Sequence, residues 1–295
     1  MMRRIGFGFS TKTSGPLMAM KTAYTSRHVD LPPTFLTSAP KEPVACSRID
    51  FENSEVPEFK DHKAAIISNV LSLEECDQLL RLAESSFEPG KDDTDPGPWR
   101  PALLNMGPGW EVYDNRVRHS DRIVWDQQEL ANRIWARCLL ADGVADLVST
   151  TPDDYMSVDG KWVFDCPNPR LRFLKYTKGQ FFKGHCDGTF RDAKDGKEVK
   201  TFYTIQLYLD NLEPSEELVG GATSFLSRDE KRRIAVAPLP GSVLLFQQKS
   251  LYHEGSVVEK GTKYTMRTDL QYIFEKDETD DTVDEQAAGT GGTNA

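Results

Sequence analysis

The stretch TFYTIQLYLD (201–210) decides the fold, because it belongs to a series of short apolar segments with the composition of β-strands and no helix between them. The series also contains RLRFLKY (170–176), GATSFL (221–226), RRIAVAPL (232–239), GSVLLFQ (241–247) and KYTMRTDLQYIF (263–274). Turns rich in glycine, proline, asparagine, aspartate and lysine separate these segments. We therefore predict a mainly β fold with a double-stranded β-helix (jelly-roll) core and flanking helices packed on one side.

Two segments before this series predict the flanking helices. SLEECDQLLRLAESS (72–86) opens with a capping box, Ser72 and Glu75, and continues with apolar residues at helical spacing. It follows AAIISNV (64–70), which predicts a buried strand. DQQELANRIWARCLL (126–140) shows the same helical periodicity.

The stretch KDDTDPGPWRPALLNMGPGW (91–110) is rich in glycine, proline and aspartate and predicts a long loop. Long loops often line binding sites. Trp99 and Trp110 could therefore cover a substrate as a lid, or anchor the loop to the core.

The two ends of the chain differ in composition from the middle. The first 29 residues contain basic but no acidic residues, which is typical of a transit peptide or of a flexible basic arm. Residues 277–295 carry six acidic and no basic residues and predict a disordered tail. We expect a flexible basic segment over 1–44, one domain over 45–276 with its jelly roll at about 170–275, and the acidic tail.

The composition excludes several classes of partner. The chain has 295 residues and a net charge of -10, which argues against a surface that neutralises nucleic-acid phosphates. No apolar run reaches about 18 residues, so we expect no membrane span. Five cysteines without a CxxC pair suit reduced thiols in an intracellular compartment, cytoplasmic or organellar. Small molecules or peptides are the expected partners, and the oligomeric state stays open.

The pattern His-x-Asp occurs three times, at His28 and Asp30, His119 and Asp121, and His185 and Asp187. A non-haem Fe(II) site that uses dioxygen needs two imidazoles and one carboxylate on one face of the metal, so each pair requires a second, distant histidine. The first pair lies at the edge of the basic arm. The second pair would take His185 as its distant histidine. The residues after His185 predict a polar loop and not a strand that carries a basic residue.

The third pair, within GHCDG (184–188), has a suitable partner in His253 and a basic strand after it. On that strand Lys263, Thr265 and Arg267 alternate with other residues and share one face. If this face is interior, it buries a hydroxyl between two cations, which is costly unless an anion binds there. A dicarboxylate co-substrate would supply that charge.

Four ordered motifs now give a specific resemblance: LKYTKGQFFKGHCDG (174–188), TIQLYLDNL (204–212) with GGATSF (220–225), PGSVLLF (240–246) and HEGSVVEKGTKY (253–264). Together they resemble the catalytic domain of the 2-oxoglutarate- and Fe(II)-dependent dioxygenases, in particular the prolyl 4-hydroxylase-like branch. The resemblance covers about residues 170–275. VLSLEECDQLLRLAE (70–84) is similar to the amino-terminal helix of that branch.

The resemblance implies that His185, Asp187 and His253 are the iron ligands. It implies that Lys263, ten positions after His253, pairs with the far carboxylate of 2-oxoglutarate. Thr265 and Tyr176 are similar to the hydroxyl-bearing residues that also reach the co-substrate.

Arg267 competes for the carboxylate, because many relatives use arginine and its bidentate fork fits that group. We favour Lys263, with Arg267 as a second contact or substitute, although spacing does not separate them. Arg172 and Gln206 are further candidates for pocket residues; for each, a structural role is at least as well supported.

The activity implied by the resemblance is hydroxylation of a peptidyl prolyl or small-molecule substrate, with formation of succinate and CO2. Fe(2+), 2-oxoglutarate and O2 would be required, with ascorbate as a further cofactor. The alternative is a jelly-roll module that binds a metal or ligand without turnover.

Overall fold

The computed structural model describes residues 18–90, 97–107, 109–152, 160–209 and 217–277. Its strands are β1 (Met20–Lys21), β2 (Ala45–Arg48), β3 (Ala64–Ser68), β4 (Arg100–Pro101), β5 (Leu104–Gly107), β6 (Trp110–Val112), β7 (Arg118–His119), β8 (Asp121–Asp126), β9 (Gly160–Pro167), β10 (Arg170–Tyr176), β11 (Phe181–His185), β12 (Arg191–Lys194), β13 (Lys197–Leu209), β14 (Val219–Gly220), β15 (Thr223–Leu226), β16 (Arg233–Val236), β17 (Val243–Gln247), β18 (His253–Gly255), β19 (Val258–Lys260) and β20 (Lys263–Lys276). The helices are α1 (Leu73–Ser85), α2 (Gln128–Cys138) and the short α3 (Val144–Val148), with a 3-10 turn at Pro57–Phe59.

Two antiparallel sheets form the jelly roll. The major sheet has the order β2-β3-β17-β13-β20-β10-β8-β4, with β12 paired to β13 and β9 paired to β20. The minor sheet has the order β16-β15-β18-β11-β7. Two small sheets, β1-β6-β5 and β14-β19, lie beside them. The predicted jelly-roll fold is confirmed.

Side-chain alternation along β20 separates the two faces of the major sheet. Tyr264 and Met266 belong to the large apolar core that also contains the buried apolar residues of α1 and α2. A second apolar core lies between the sheets, where Phe225 of β15 meets Phe246 of β17 edge to face at 5.8 Å. The helices thus cover one face of the major sheet, and its other face is left to the minor sheet and the candidate site.

Helix α1 begins as the sequence predicts. The backbone N–H of Ser72 donates to Glu75 at 2.8 Å, and the backbone N–H of Glu75 donates to the Ser72 hydroxyl at 3.3 Å. Glu75 also accepts from the buried guanidinium of Arg137 on α2 at 2.8 Å. Glu75 therefore caps the N-terminus of α1 and also links α1 to α2.

The prediction of a loop over 91–110 is wrong in its described part, which contains β4, β5 and the start of β6. Strand β4 pairs with β8, β5 and β6 form a hairpin, and β6 also pairs with β1. Strand pairing of this kind overrides the local preference of glycine and proline for turns. Trp99 donates its indole N–H to Glu84 at 2.8 Å and contacts the Tyr264 ring on the helix-covered face.

Residues 18–44 pack against the domain. Strand β1 pairs with β6, Phe35 and Leu36 are buried in the main core, and the Tyr24 hydroxyl lies between Glu111 and Arg122. Predictions for 1–17 and 278–295 lie outside the described residues. Among the described helices, none has the length and apolar character needed to cross a membrane.

Candidate functional site

Two neighbouring strands of the minor sheet bring the three candidate ligands together. His185 ends β11, His253 begins β18, and the two residues are direct partners in the antiparallel register. Their imidazole centroids lie 4.4 Å apart. Asp187 follows β11 by two residues, and the ligand atoms of all three side chains lie within 4.8 Å of one another.

The glycine before His185 allows a close approach of Tyr252. A Cβ atom at Gly184 would overlap the phenol, with Cε1 of Tyr252 only 2.8 Å away. Phe182 stacks on the His185 imidazole, with centroids 3.7 Å apart. Strand packing therefore fixes the position of His185.

Backbone carbonyls fix the orientation of both imidazoles. His185 Nδ1 lies 2.8 Å from the Lys183 carbonyl, and His253 Nδ1 lies 3.0 Å from the Leu251 carbonyl. An N–H at Nδ1 that donates to a carbonyl leaves Nε2 with a free lone pair. The two Nε2 atoms lie 3.6 and 3.9 Å from the same oxygen, Oδ1 of Asp187.

Asp187 is buried and has a separate partner for each oxygen. Thr204 donates its hydroxyl to Oδ2 at 2.7 Å, and Arg267 Nη1 lies 3.0 Å from Oδ1. Burial alone would raise the pKa of Asp187, but Arg267 and the two histidines outweigh that effect and hold it well below the usual value. Burial, with a contribution from His185, lowers the pKa of His253 to about 4. The site therefore presents a carboxylate and a neutral imidazole at neutral pH.

These donors fit a divalent transition metal. Two imidazole nitrogens and one carboxylate oxygen converge from one side, which is the facial arrangement of non-haem Fe(II) sites with open positions. The carbonyls on Nδ1 and the hydroxyl of Thr204 on Oδ2 are the outer partners that keep such ligands oriented.

Lys263 is a buried cation without a carboxylate partner in the part of the chain that the structure describes; only 4% of its surface is exposed. Its Nζ lies 5.4 and 5.7 Å from the ring centroids of Tyr176 and Tyr208. Burial lowers the pKa of Lys263 to about 7. Gly221, with φ of +69°, lies against the lysine stem, and a Cβ there would come within 3.3 Å of Lys263 Cδ.

Thr265 adds an unsatisfied polar group beside this cation. Its hydroxyl oxygen is buried and has no hydrogen-bond partner among the described residues. Buried polar groups are almost always hydrogen-bonded. A buried hydroxyl without a partner, next to a lysine without a carboxylate partner, therefore indicates a binding site for an anion that accepts hydrogen bonds. Both Lys263 and the Thr265 hydroxyl are consistent with the dicarboxylate that the sequence predicts on this face of β20.

Arg267 has a different environment from Lys263. It contacts Asp187 at 3.0 Å and Asp269 at 3.2 Å, and these carboxylates outweigh burial and raise its pKa. Lys263 and Arg267 are the two candidates that the sequence offers for binding the far carboxylate. Of these two, Lys263 is the one without a carboxylate partner among the described residues.

One cavity connects the triad with these cations. Its described lining consists of Arg118, Arg172, Leu174, Tyr176, Phe182, His185, Asp187, Gln206, Thr223, His253, Glu254, Gly255, Lys263, Thr265 and Arg267. The structure thus brings together all seven residues predicted for the site. Gln206 donates to the Thr223 hydroxyl at 2.7 Å, and Arg172 contacts Asp269 at 3.2 Å. Trp99 and Trp110 are not among the described residues of the lining.

Sequence reasoning missed Thr204, Asp269 and Arg118 as site residues. Asp269 continues the inward alternation of Lys263 and Thr265 along β20, so this signal was present in the sequence. Arg118 lies on β7, and only the pairing of β7 with β11 brings it to the cavity.

The other two His-x-Asp pairs are not gathered into metal sites. His28 contacts Asp30 at 2.9 Å on the surface, and His119 is exposed. Within the described ranges, the group of His185, Asp187 and His253 is the one set that could hold a metal ion.

A family model described as the 2OG-Fe(II) oxygenase superfamily matches residues 171–268. The chain carries a 2OG-Fe(II) oxygenase domain. The prediction of a 2-oxoglutarate-dependent dioxygenase is thereby confirmed, and the matched segment of this oxygenase includes the triad and the start of β20 with Lys263, Thr265 and Arg267. No curated protein sequence matches the chain significantly.

Solved structures similar to the oxygenase include three prolyl hydroxylases. One is a Pseudomonas putida prolyl-4-hydroxylase, with 12% identity, a TM-score of 0.44, and coverage of 74% of this chain and 96% of that chain. The viral collagen prolyl hydroxylase of Paramecium Bursaria Chlorella virus-1 shows 18% identity, a TM-score of 0.41, and coverage of 70% and 95%. The third, from Trichoplax adhaerens in complex with a hypoxia inducible factor peptide fragment, shows 18% identity, a TM-score of 0.46, and coverage of 76% and 89%.

Proposed function

We propose that the oxygenase hydroxylates an organic substrate, with Fe(II) bound by His185, Asp187 and His253, and that it converts 2-oxoglutarate to succinate and CO2. The observation that carries the proposal is the convergence of two Nε2 atoms on Asp187 Oδ1 in a cavity that also contains the uncompensated Lys263. A metal and a dicarboxylate together satisfy both features.

The ligand side chains need little rearrangement to bind a metal. Both imidazoles are held in the tautomer that presents Nε2, and Asp187 is ionised. Iron with 2-oxoglutarate and O2 supplies the oxidising chemistry when bound. The contribution of the protein is to hold three ligands on one side and to leave the remaining positions to the co-substrates.

Lys263 is proposed to bind the far carboxylate of 2-oxoglutarate. It has 4% exposure and no acid partner among the described residues, so a carboxylate would restore charge balance where water does not reach. Thr265 would donate its orphaned hydroxyl, and Tyr176, paired with Lys263 across β10 and β20, would border the same group. Arg267 remains with Asp187 and Asp269 in this proposal.

The substrate is proposed to be either a peptidyl prolyl residue or a small molecule. The resemblance to the prolyl 4-hydroxylase-like branch lies in the half of the domain that binds the cofactors, so it favours neither class. Ascorbate stays an expectation of that resemblance.

The test is an anaerobic titration of the purified protein with Fe(II) and 2-oxoglutarate, followed by the visible charge-transfer band of the chelated co-substrate. His185→Ala should abolish the band. His119→Ala is the matched control, because this histidine is exposed and belongs to a rejected His-x-Asp pair, and it should leave the band unchanged.

A band that is lost in His185→Ala and kept in His119→Ala would support the proposed site. Iron binding without the band would refute the role of 2-oxoglutarate and favour a module that binds metal without turnover. Equal bands in wild type and His185→Ala would show that the metal binds elsewhere.

A further inference from the structure

A second buried cation, Arg118, borders the same cavity as Lys263 but lies on the other sheet. Arg118 lies on the edge strand β7 of the minor sheet, whereas Lys263 lies on β20 of the major sheet. Only 9% of the Arg118 residue surface is exposed, and its guanidinium carbon lies 4.6 Å from the centroid of Phe182. Because Phe182 also stacks on His185, a single ring links Arg118 to the candidate metal centre.

The polar contacts of Arg118 do not neutralise its charge. Its Nε donates to the Ser120 hydroxyl at 3.2 Å, and the Tyr176 phenol is another polar group near the guanidinium. Within the described ranges no carboxylate forms an ion pair with it. Burial, assisted by the neighbouring charges of Arg122 and Arg267, lowers the pKa of Arg118 to about 10, so it is still charged at neutral pH.

The carboxylates of the cavity already have other partners. Asp187 and Asp269 balance Arg267 and Arg172. Glu254, the other acidic residue of the described lining, pairs with Arg233 at 2.8 Å. Lys263, which is partly charged at neutral pH because burial lowers its pKa to about 7, and Arg118 are the two basic lining residues without a carboxylate partner among the described residues.

The proposed cofactors cannot neutralise both of these cations. Fe(II) carries two positive charges and 2-oxoglutarate two negative ones, so together they add no net charge to the cavity. The far carboxylate can compensate Lys263, but the positive excess of the cavity as a whole persists. An uncompensated buried charge is costly, and a bound anion relieves that cost.

We infer that the primary substrate of the oxygenase carries a carboxylate and that Arg118 binds it. The inference rests on the proposed function and adds a substrate class to it. The planar guanidinium suits a carboxylate through paired N–H donors. Its burial beside Phe182 admits a small end group, so the carboxylate would lie on the substrate close to the carbon that is hydroxylated. Both a free carboxylic acid and an acidic residue next to the reacting residue of a peptide offer this chemistry.

The probe is acetate, compared with its neutral isostere acetamide, added to the anaerobic protein already loaded with Fe(II) and 2-oxoglutarate. The readouts are the dissociation constant from calorimetry and the position of the charge-transfer band. Wild type should bind acetate and not acetamide. Arg118→Gln should weaken acetate binding by about tenfold or more, since a hydrogen-bonded charge is lost. Arg118→Lys, which keeps the cation, should bind acetate with intermediate affinity.

Arg116→Gln is the matched control, because Arg116 is two residues away, has 72% of its side chain exposed and pairs with Asp114. It should bind acetate as wild type does. Acetate binding that is equal in wild type and both Arg118 variants would place the anion on the metal and overturn the inference, as would equal binding of acetate and acetamide.

The band distinguishes the two proposals. If it never forms, the proposed function fails; if it forms and acetate does not bind, only the substrate inference fails. The two sources of the carboxylate are then compared by measuring the consumption of 2-oxoglutarate. One set of substrates consists of free amino acids and the other of short proline peptides with a neighbouring acidic residue, and each substrate is tested with its carboxylate and with the corresponding amide. Stimulation by the acid members of one set identifies the source, and stimulation by the amides alone contradicts the inference.

Discussion

The guanidinium of Arg267 lies 3.0 Å from Oδ1 of Asp187, the same carboxylate oxygen that faces both imidazoles. Arg267 also contacts Asp269 at 3.2 Å, so one cation bridges two buried carboxylates. This ion pair explains how an acidic side chain with 2% exposure stays ionised without a metal. A bound divalent ion would share that oxygen with the arginine.

Arg267→Met should destabilise the metal-free protein by about 3–5 kcal/mol, because it leaves buried carboxylates without their counter-ion. Added Fe(II) should restore part of that loss, since the metal brings positive charge to Asp187. Urea unfolding with and without Fe(II) under anaerobic conditions measures both effects. Arg170→Met is the control: its ion pair with Asp126 is about half exposed and should contribute less than about 1 kcal/mol. An Arg267→Met protein as stable as wild type would contradict the structural role of the bridge.

Lys263→Met should weaken 2-oxoglutarate binding by about 10–100-fold, the loss expected when a charged hydrogen-bond donor is removed. Titration of the charge-transfer band at fixed Fe(II) measures this, and metal affinity should stay close to that of wild type. Lys260→Met, an exposed lysine on β19, is the matched control. If Arg267→Lys produces the loss and Lys263→Met does not, the carboxylate binds to Arg267 instead.

The pH dependence of stability gives an independent test of Lys263. Its folded pKa of about 7 lies below the unfolded value of 10.5, so between these pH values the unfolded chain binds more protons and stability rises with pH. Burial raises the pKa of the facing Tyr208 to about 12, above this window. Without ligands, Lys263→Met should be more stable than wild type by about 1–4 kcal/mol below pH 7, with the difference disappearing towards pH 10.5. A difference that does not change with pH would show that Lys263 keeps its ordinary pKa.

The sequence predicted the parts of the site that depend on local pattern. Alternation along 263–274 placed Lys263, Thr265 and Arg267 on one face, and strand context selected His185 over His119. What the sequence could not supply depends on which strands become neighbours. Arg118 reaches the cavity through the pairing of β7 with β11.

The strands in 97–110 were missed because the local composition favours turns. Strands β4 and β6 also have partners that are more distant in sequence, β8 and β1. The balance of charge in the cavity also depends on contacts across the fold. Asp269 meets Arg172 across 97 positions of sequence, so the sequence alone could not show which cations lack a carboxylate.

Thr204→Val should weaken Fe(II) binding by about 10–100-fold, because the hydroxyl that holds Asp187 Oδ2 at 2.7 Å is an outer partner of a proposed ligand. Thr204→Ser keeps the hydroxyl and should bind iron nearly as wild type does. Anaerobic equilibrium dialysis with Fe(II) compares the three proteins. Equal affinity in the valine variant would mean that the orientation of Asp187 does not depend on this hydrogen bond.

The two glycines of GHCDG give opposite predictions for the same small change. Gly184→Ala places a methyl group against the Tyr252 ring, which is itself held by a hydrogen bond to Glu230 at 2.7 Å, so the backbone beside His185 must shift. Gly188→Ala meets no atom within 4 Å. We expect Gly184→Ala to lose the charge-transfer band and about 1–3 kcal/mol of stability through overpacking, while Gly188→Ala keeps both. Unfolding curves and the Fe(II) and 2-oxoglutarate titration measure these effects. A Gly184→Ala protein with a full band would show that β11 can move away from Tyr252 without displacing the ligand, and that strand packing does not fix His185.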